Sequence, residues 1–213
     1  MSKYINKVLI CNICGKSHEY NVLRALSVFK SELDGYTGNS DLYATVLECP
    51  YCHNVNEDIT AEVTEKEKDI ILSDKYQKAF SDDRDTVLRR FTETAKRKTA
   101  VRQWLAATHY WQLAGWRARD LHDCQEAEYQ SHAIDSIKNA LIDDEPVQMK
   151  HMCVLVDLLR QAGRFDEAEY YAESCIEVIE KGNATDEEEY KVFKQEIKLI
   201  REKDSLRHAY EGE

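Results

Sequence analysis

Apolar and polar positions change rhythm near residue 60 of this 213-residue chain. Before that point, short alternating stretches flank the turn-rich GYTGNSD at 35–41. EYNVLRALSVF (19–29) and DLYATVLE (41–48), the latter with β-branched and aromatic content, predict strands. Beyond residue 60 nearly everything carries helical spacing. The acidic, weakly periodic stretch 61–83 reads as a helix or a mobile connector. In TAVRQWLAATHYWQLAGWRARDL, the apolar stripe Trp104, Ala107, Trp111, Ala114, Ala118 steps by three and four along one helix. A second amphipathic helix is predicted over 125–142. A helical pair follows over 147–162 and 166–181, with Pro146 near its start, Gly163 ending its first member and Asp166 as N-cap of its second. Thr185 or Asp186 is placed to cap a last helix carrying Tyr190, Phe193, Ile197 and Ile200, and the tail KDSLRHAYEGE is expected to fray.

The paired helices contain a repeat-like pattern. In MCVLVDLLRQAGRFDEAEYYAESCIEVIE (152–180), Leu155 and Leu159 hold first-helix positions and Gly163 and Phe165 the turn. Ala168, Ala172 and Cys175 supply the small residues that let two helices approach. This closely resembles a tetratricopeptide repeat. Upstream, Ala133, Ile137 and Ala140 repeat the spacing at an offset of 35 residues, against a period of about 34 for that repeat. The first helix of that copy would be the Trp111–Gly115 region. Either as true repeats or as a generic stack, antiparallel helix pairs are expected side by side. So few pairs leave an end to cover, by the N-terminal module or by a second copy in a homodimer.

Composition narrows the class. Hydrophobic residues make up 43%, enough for a core, and two prolines with seven glycines favour long helices over a turn-rich sandwich. The formal net charge of −11 repels nucleic acid and anionic membrane on average. No run approaches a membrane span, and the N-terminal residues lack a secretory h-region, which predicts a cytoplasmic protein without membrane partners. In that compartment seven cysteines do not suggest a disulfide framework. Cys124, Cys153 and Cys175 fall in helical patterns and read as packing residues.

The other four cysteines form two C-x-x-C pairs, Cys11/Cys14 and Cys49/Cys52, with 34 residues between them. Each pair can wrap a turn that points two thiolates at one ion. Two such turns complete the closed tetrahedron of one structural Zn2+. A residue in the left-handed conformation suits the position after each pair, and Gly15 and His53 stand there. The string Cys49-Pro-Tyr-Cys52-His53 also matches a haem-attachment pattern. Haem needs an oxidising compartment and would leave the first pair unexplained. No βαβ pattern supports a redox dithiol. His18 is close enough in sequence to stand in as a ligand, but reads as a surface residue.

These features together predict an α+β chain: a small N-terminal zinc ribbon (1–60), a linker or connecting helix (61–100) and an all-α tetratricopeptide-like array (101–213). The C-x-x-C-G pair, the D-L-Y-x-x-V-x-x-C-P-x-C stretch and the repeat-like helices resemble the bacterial proteins catalogued as domain of unknown function 2225. Two positions depart from that pattern: Asn12 where proline is usual and His53 where glycine is usual. The resemblance implies the same architecture and no assigned activity.

The leading functional expectation is a non-enzymatic scaffold that binds a protein or peptide through its helical surface. Trp104, Tyr110, Trp111, Trp116, Tyr170 and Tyr171 are its candidate anchors. The alternative is nucleic-acid binding through the basic stretch 84–102, with Arg89, Arg90, Lys96, Arg97 and Lys98. Pairing with the acidic segment before it, or a solvated helix face, competes with that reading. Residues 1–60 argue against it too, with five Lys/Arg and seven Asp/Glu. Phosphate-loop, G-x-S-x-G and H-E-x-x-H patterns are missing, so no catalytic residue is predicted.

Overall fold

The computed structural model describes residues 3–24, 31–38, 40–81, 84–182 and 187–211. Among them are eight α-helices and two small two-stranded sheets. None of these helices is long and apolar enough to cross a membrane. The chain divides into two compact units. Unit 1 is Met1–Ser27 with Asn39–Asp123, and unit 2 is Val28–Gly38 with Cys124–Glu213. These borders differ from those expected at 60 and 101, because the ribbon and the helices after it share one core.

Unit 1 begins with the antiparallel hairpin β1 (Tyr4–Ile10) and β2 (Ser17–Leu23), in register from Tyr4↔Leu23 to Ile10↔Ser17. The expected strand over 19–29 holds to Leu23; residues 25–29 lie outside the described residues. The strand expected over 41–48 is a 3-10 helix, Ser40–Thr45, and only Leu47–Glu48 (β3) pairs, with Val55–Asn56 (β4). The reason is visible in its burial. Tyr43, Val46 and Leu47 face inward, a spacing that an alternating strand does not allow. Tyr43 packs on Phe91 and donates to Asp120 Oδ2 at 2.8 Å.

Residues 61–100, expected as a linker or single helix, hold α1 (Glu65–Leu72), α2 (Asp74–Ala79) and α3 (Thr86–Ala100). Thr64 and Glu67 close a capping box at the start of α1. The stripe expected from Trp104 to Ala118 lies on one helix, separate from α3. α3 ends, Arg102 turns at φ 60°, and α4 (Trp104–Asp120) packs back on α3. Asp85 caps α3 by accepting from Leu88 N–H, and its carboxylate takes two hydrogen bonds from Arg117 of α4 at 3.0 and 2.7 Å. One side chain thus fixes both the start of α3 and its pairing with α4.

Unit 2 contains α5 (Glu126–Ile142), α6 (Met149–Gln161), α7 (Phe165–Lys181) and α8 (Glu187–Arg201), each packed on the next, with α6 also against α8. Ala133, Ile137, Ala140, Leu155, Leu159, Ala168, Ala172 and Phe193 are buried, as their spacing requires. Gly163 ends α6 at φ +71°. Asp166 is not the cap of α7 but lies in its first turn, after Arg164. The expected caps Thr185 and Asp186 fall outside the described residues. Cys153 and Cys175 are buried in α6 and α7, whereas Cys124 is exposed in the turn before α5, not packed in a helix.

Through residue 211 the tail does not fray as expected. Leu33 N–H donates to His208 C=O, Tyr210 N–H to Ser31 C=O, and the Gln195 side chain holds Ala209 and Glu211. Arg160, completely buried, donates from Nη1 to the carbonyls of Asp204 and Leu206.

Candidate metal centre

Each cysteine pair sits at the tip of a hairpin, and the two tips are built alike. In the first, Gly15 N–H donates to Cys11 C=O (2.8 Å) and Cys11 N–H to Lys16 C=O (3.0 Å). In the second, His53 N–H donates to Cys49 C=O (2.9 Å) and Cys49 N–H to Asn54 C=O (2.8 Å). Both turns need a residue at positive φ, and Gly15 (φ 68°) and His53 (φ 53°) supply it, as the sequence suggested. His53 is also held by its side chain, with Nδ1 2.8 Å from Glu48 Oε1 and its ring stacked on Phe80.

The two tips bring Cys11, Cys14, Cys49 and Cys52 together, with all four sulfurs within 4.8 Å of one another. Cys11 Sγ lies 3.7 Å from Cys52 Sγ, and Cys14 Sγ 3.6 Å from Cys49 Sγ. Bonds of ~2.3 Å set tetrahedrally around one zinc would space the sulfurs ~3.8 Å apart, so the donor set fits such an ion. Cys11, Cys49 and Cys52 are buried and Cys14 is half-buried. Burial raises Cys49 and Cys52 above the ordinary thiol value. It also acts upward on Cys11, but backbone N–H groups of Cys14 and Ile13, with Cys52 and Asn54, bring Cys11 below that value. Tyr20 is buried beside the cluster, and its phenol is raised by burial and then by Cys49 and Cys11. His18 stands edge-on to Tyr20 and Tyr51 and does not join the cluster.

The turn at Ile59 and the helices α2 and α3 grip this centre. Asn12 N–H donates to Ile59 C=O, Gln77 Nε2 to Cys52 C=O (2.9 Å) and Tyr76 Oη to His53 C=O (3.1 Å). Arg90 reaches Glu48 at 3.1 Å and the Val46 carbonyl at 3.3 Å. Arg97 donates to Asn54 Oδ1 (3.3 Å) and Val55 C=O (2.9 Å). Asn54 was not singled out from the sequence, and Arg97 only as a nucleic-acid candidate, not for this centre. Asn54 carries a weak signal as the residue that closes the second turn; Arg97 carries none.

Three of the five basic residues proposed for nucleic acid face inward, while Arg90 is half-buried and Lys96 exposed. Arg89, Arg97 and Lys98 are buried, so the expected solvated face does not exist at these positions. Lys98 Nζ lies 2.7 Å and Arg97 Nε 3.5 Å from the buried Glu67 carboxylate, which realises the expected pairing with the acidic segment. Arg89 lies over the Phe80 ring, and Lys96 pairs with Glu93 at 2.8 Å. Among the aromatic candidates, Tyr110, Trp111 and Trp116 are buried in unit 1, which removes them as surface anchors. Trp104 and Tyr171 are half-buried, and Tyr170 is exposed on α7 beside Tyr171. Compared with known proteins, the chain matches no family model, no curated protein and no solved structure.

Proposed function

We propose that this chain is a non-enzymatic interaction protein with one structural Zn2+ on Cys11, Cys14, Cys49 and Cys52. The observation that carries the reading is the convergence of four thiols from two matching turns at tetrahedral spacing. Four thiolates fill the coordination sphere and leave no position for a water or substrate, which suits a structural ion. The ribbon resemblance to the domain of unknown function 2225 proteins belongs to the same proposal. So does the tetratricopeptide-like character of α6 and α7, supported by their close packing through Ala168, Ala172 and Gly163.

A protein or peptide is the proposed partner, met by the helical surface where Tyr170 and Val178 are exposed on α7. The nucleic-acid alternative loses its footprint with the burial of Arg89, Arg97 and Lys98. Metal content decides the central point. Purified protein should carry about one zinc per chain, and Co2+ should give the sulfur-to-metal charge-transfer absorption of a tetrathiolate site. A folded protein that takes up neither ion would reject the reading. Cross-linked capture of a protein that is lost on Tyr170→Ala tests the surface.

A further inference from the structure

Asn54 and Arg97 stand behind the cysteine cluster in a fixed order. Asn54 is completely buried and its Nδ2 lies 3.8 Å from Cys11 Sγ. Its Oδ1 accepts from Arg97 Nη1 at 3.3 Å, and Arg97 Nη2 is anchored on the Val55 carbonyl at 2.9 Å. The Arg97 side chain has no exposed surface, and its Nε faces Glu67 at 3.5 Å.

A guanidinium can only donate hydrogen bonds, so the oxygen of the amide must face Arg97 and the NH2 must face the sulfur. That orientation does not depend on which way an isolated asparagine would turn. It matters because four thiolates around a divalent ion carry a net charge of about −2 out of water, and each sulfur then needs donors. Cys11 receives one from a side chain that a buried cation holds in place.

We propose that Asn54 and Arg97 are positioning residues of the metal centre: Arg97 orients the Asn54 amide to donate to the Cys11 thiolate, and the pair sets how tightly the four sulfurs hold their ion. This rests on the four-cysteine metal reading. It also makes α3 part of the metal centre, through a residue that contacts no ligand sulfur itself.

The test is Asn54→Asp in the full chain. The variant keeps an acceptor for Arg97 but turns a second oxygen, not an N–H, toward Cys11. Zn2+ affinity, measured by competition with a chromophoric chelator, should fall about 10- to 100-fold. The Co2+ charge-transfer band should move to longer wavelength, because a sulfur without its donor releases an electron more easily. Arg97→Lys, which keeps the charge but loses the fork, should move both readouts in the same direction by less. If Asn54→Asp does not fold, Asn54→Ala removes the donor without adding charge and should still shift the band. Wild-type affinity together with an unmoved band in the folded variants would overturn the proposal alone. A wild-type protein without the charge-transfer band would overturn the metal reading beneath it.

Discussion

In unit 1 the buried guanidinium of Arg97 shares one carboxylate, Glu67, with Lys98, while in unit 2 the buried guanidinium of Arg160 stands between two carboxylates, Asp157 and Glu196. Both arginines tie the carbonyls of non-helical segments to a helix, Val55 in one unit and Asp204 and Leu206 in the other. The charge balance around them is opposite. Excess cation leaves Glu67 below its ordinary carboxylate value: burial raises it, but Lys98 and Arg97 prevail. Excess carboxylate leaves Glu196 pushed up to about 9, by burial and then by Asp157, and Asp157 is raised as well, mainly by burial. Similar hydrogen-bond architecture thus makes one unit sensitive to acid and the other to alkali.

Metal loss should separate the units most sharply. Cys49→Ser, or chelation, should unfold the ribbon together with α1–α4, since α2 and α3 hydrogen-bond to its second hairpin and α1 and α4 pack on them. The four helices of unit 2 should remain. Structural zinc binding is worth about 10–16 kcal/mol in small ribbons and fingers, so no rearrangement inside unit 1 would replace it. Far-ultraviolet circular dichroism and hydrogen exchange check this; loss of protection in α5–α8 as well would dissolve the distinction between the units.

Removing each arginine is the next largest contrast. Arg160→Met strands two buried carboxylates and should destabilise unit 2 by about 3–5 kcal/mol, releasing the tail. Arg97→Met leaves Lys98 beside Glu67 and should cost unit 1 less. Denaturant titration with a probe in each unit measures both, and equal losses would mean that the differing charge balance is not what matters.

The pH profiles should cross. The pair Asp157–Glu196 binds a proton more tightly folded than unfolded, so its contribution is full below the ordinary carboxylate value and is lost as pH rises toward about 9. Glu67 does the reverse, with its contribution present above the ordinary carboxylate value and lost as pH falls through its depressed one. Thermal melts of each unit across pH check the two slopes, and Glu196→Gln should flatten the alkaline loss in unit 2.

The smallest contrast lies between the two cysteine turns. Gly15→Ala should cost about 1 kcal/mol through its positive φ alone, since nothing lies within 4 Å of the added methyl group. His53→Gly relaxes the same conformation but forfeits the Glu48 and Phe80 contacts, and should come out close to neutral. A melting-temperature comparison of the two variants measures the difference.

The features legible in the sequence were those with a local signature. The C-x-x-C pairs, the left-handed Gly15 and His53, the turn at Gly163 and the buried stripes of α4–α7 each follow from spacing that a few residues can carry. What was missed depends on partners far along the chain. α3 reads from the sequence as a basic helix that is either solvated or paired with the acidic segment before it, and its local pattern does not choose between the two; it is buried on nearly every side. A buried charged helix looks like an exposed one until its counter-charges are located, and Glu67 is not marked by its neighbours. The break at Arg102 has no glycine or proline to announce it. The 3-10 turn through Tyr43 is set by Phe91 and Asp120, and no local propensity encodes either.

The pairing of residues 31–33 with 208–210 has a kinetic consequence. During synthesis, unit 1 has all of its residues once position 123 has emerged, and it can close around its cysteine cluster then. Residues 31–33 of unit 2 have already been made by then but must wait for residues 208–210 before their partners exist. Its β-bridge joins residues of very large sequence separation, the kind of contact that forms late and slows folding. Unit 1 should therefore be the early-folding half, and the last event in unit 2 should be the docking of residues 204–210 on Arg160 and on residues 31–33.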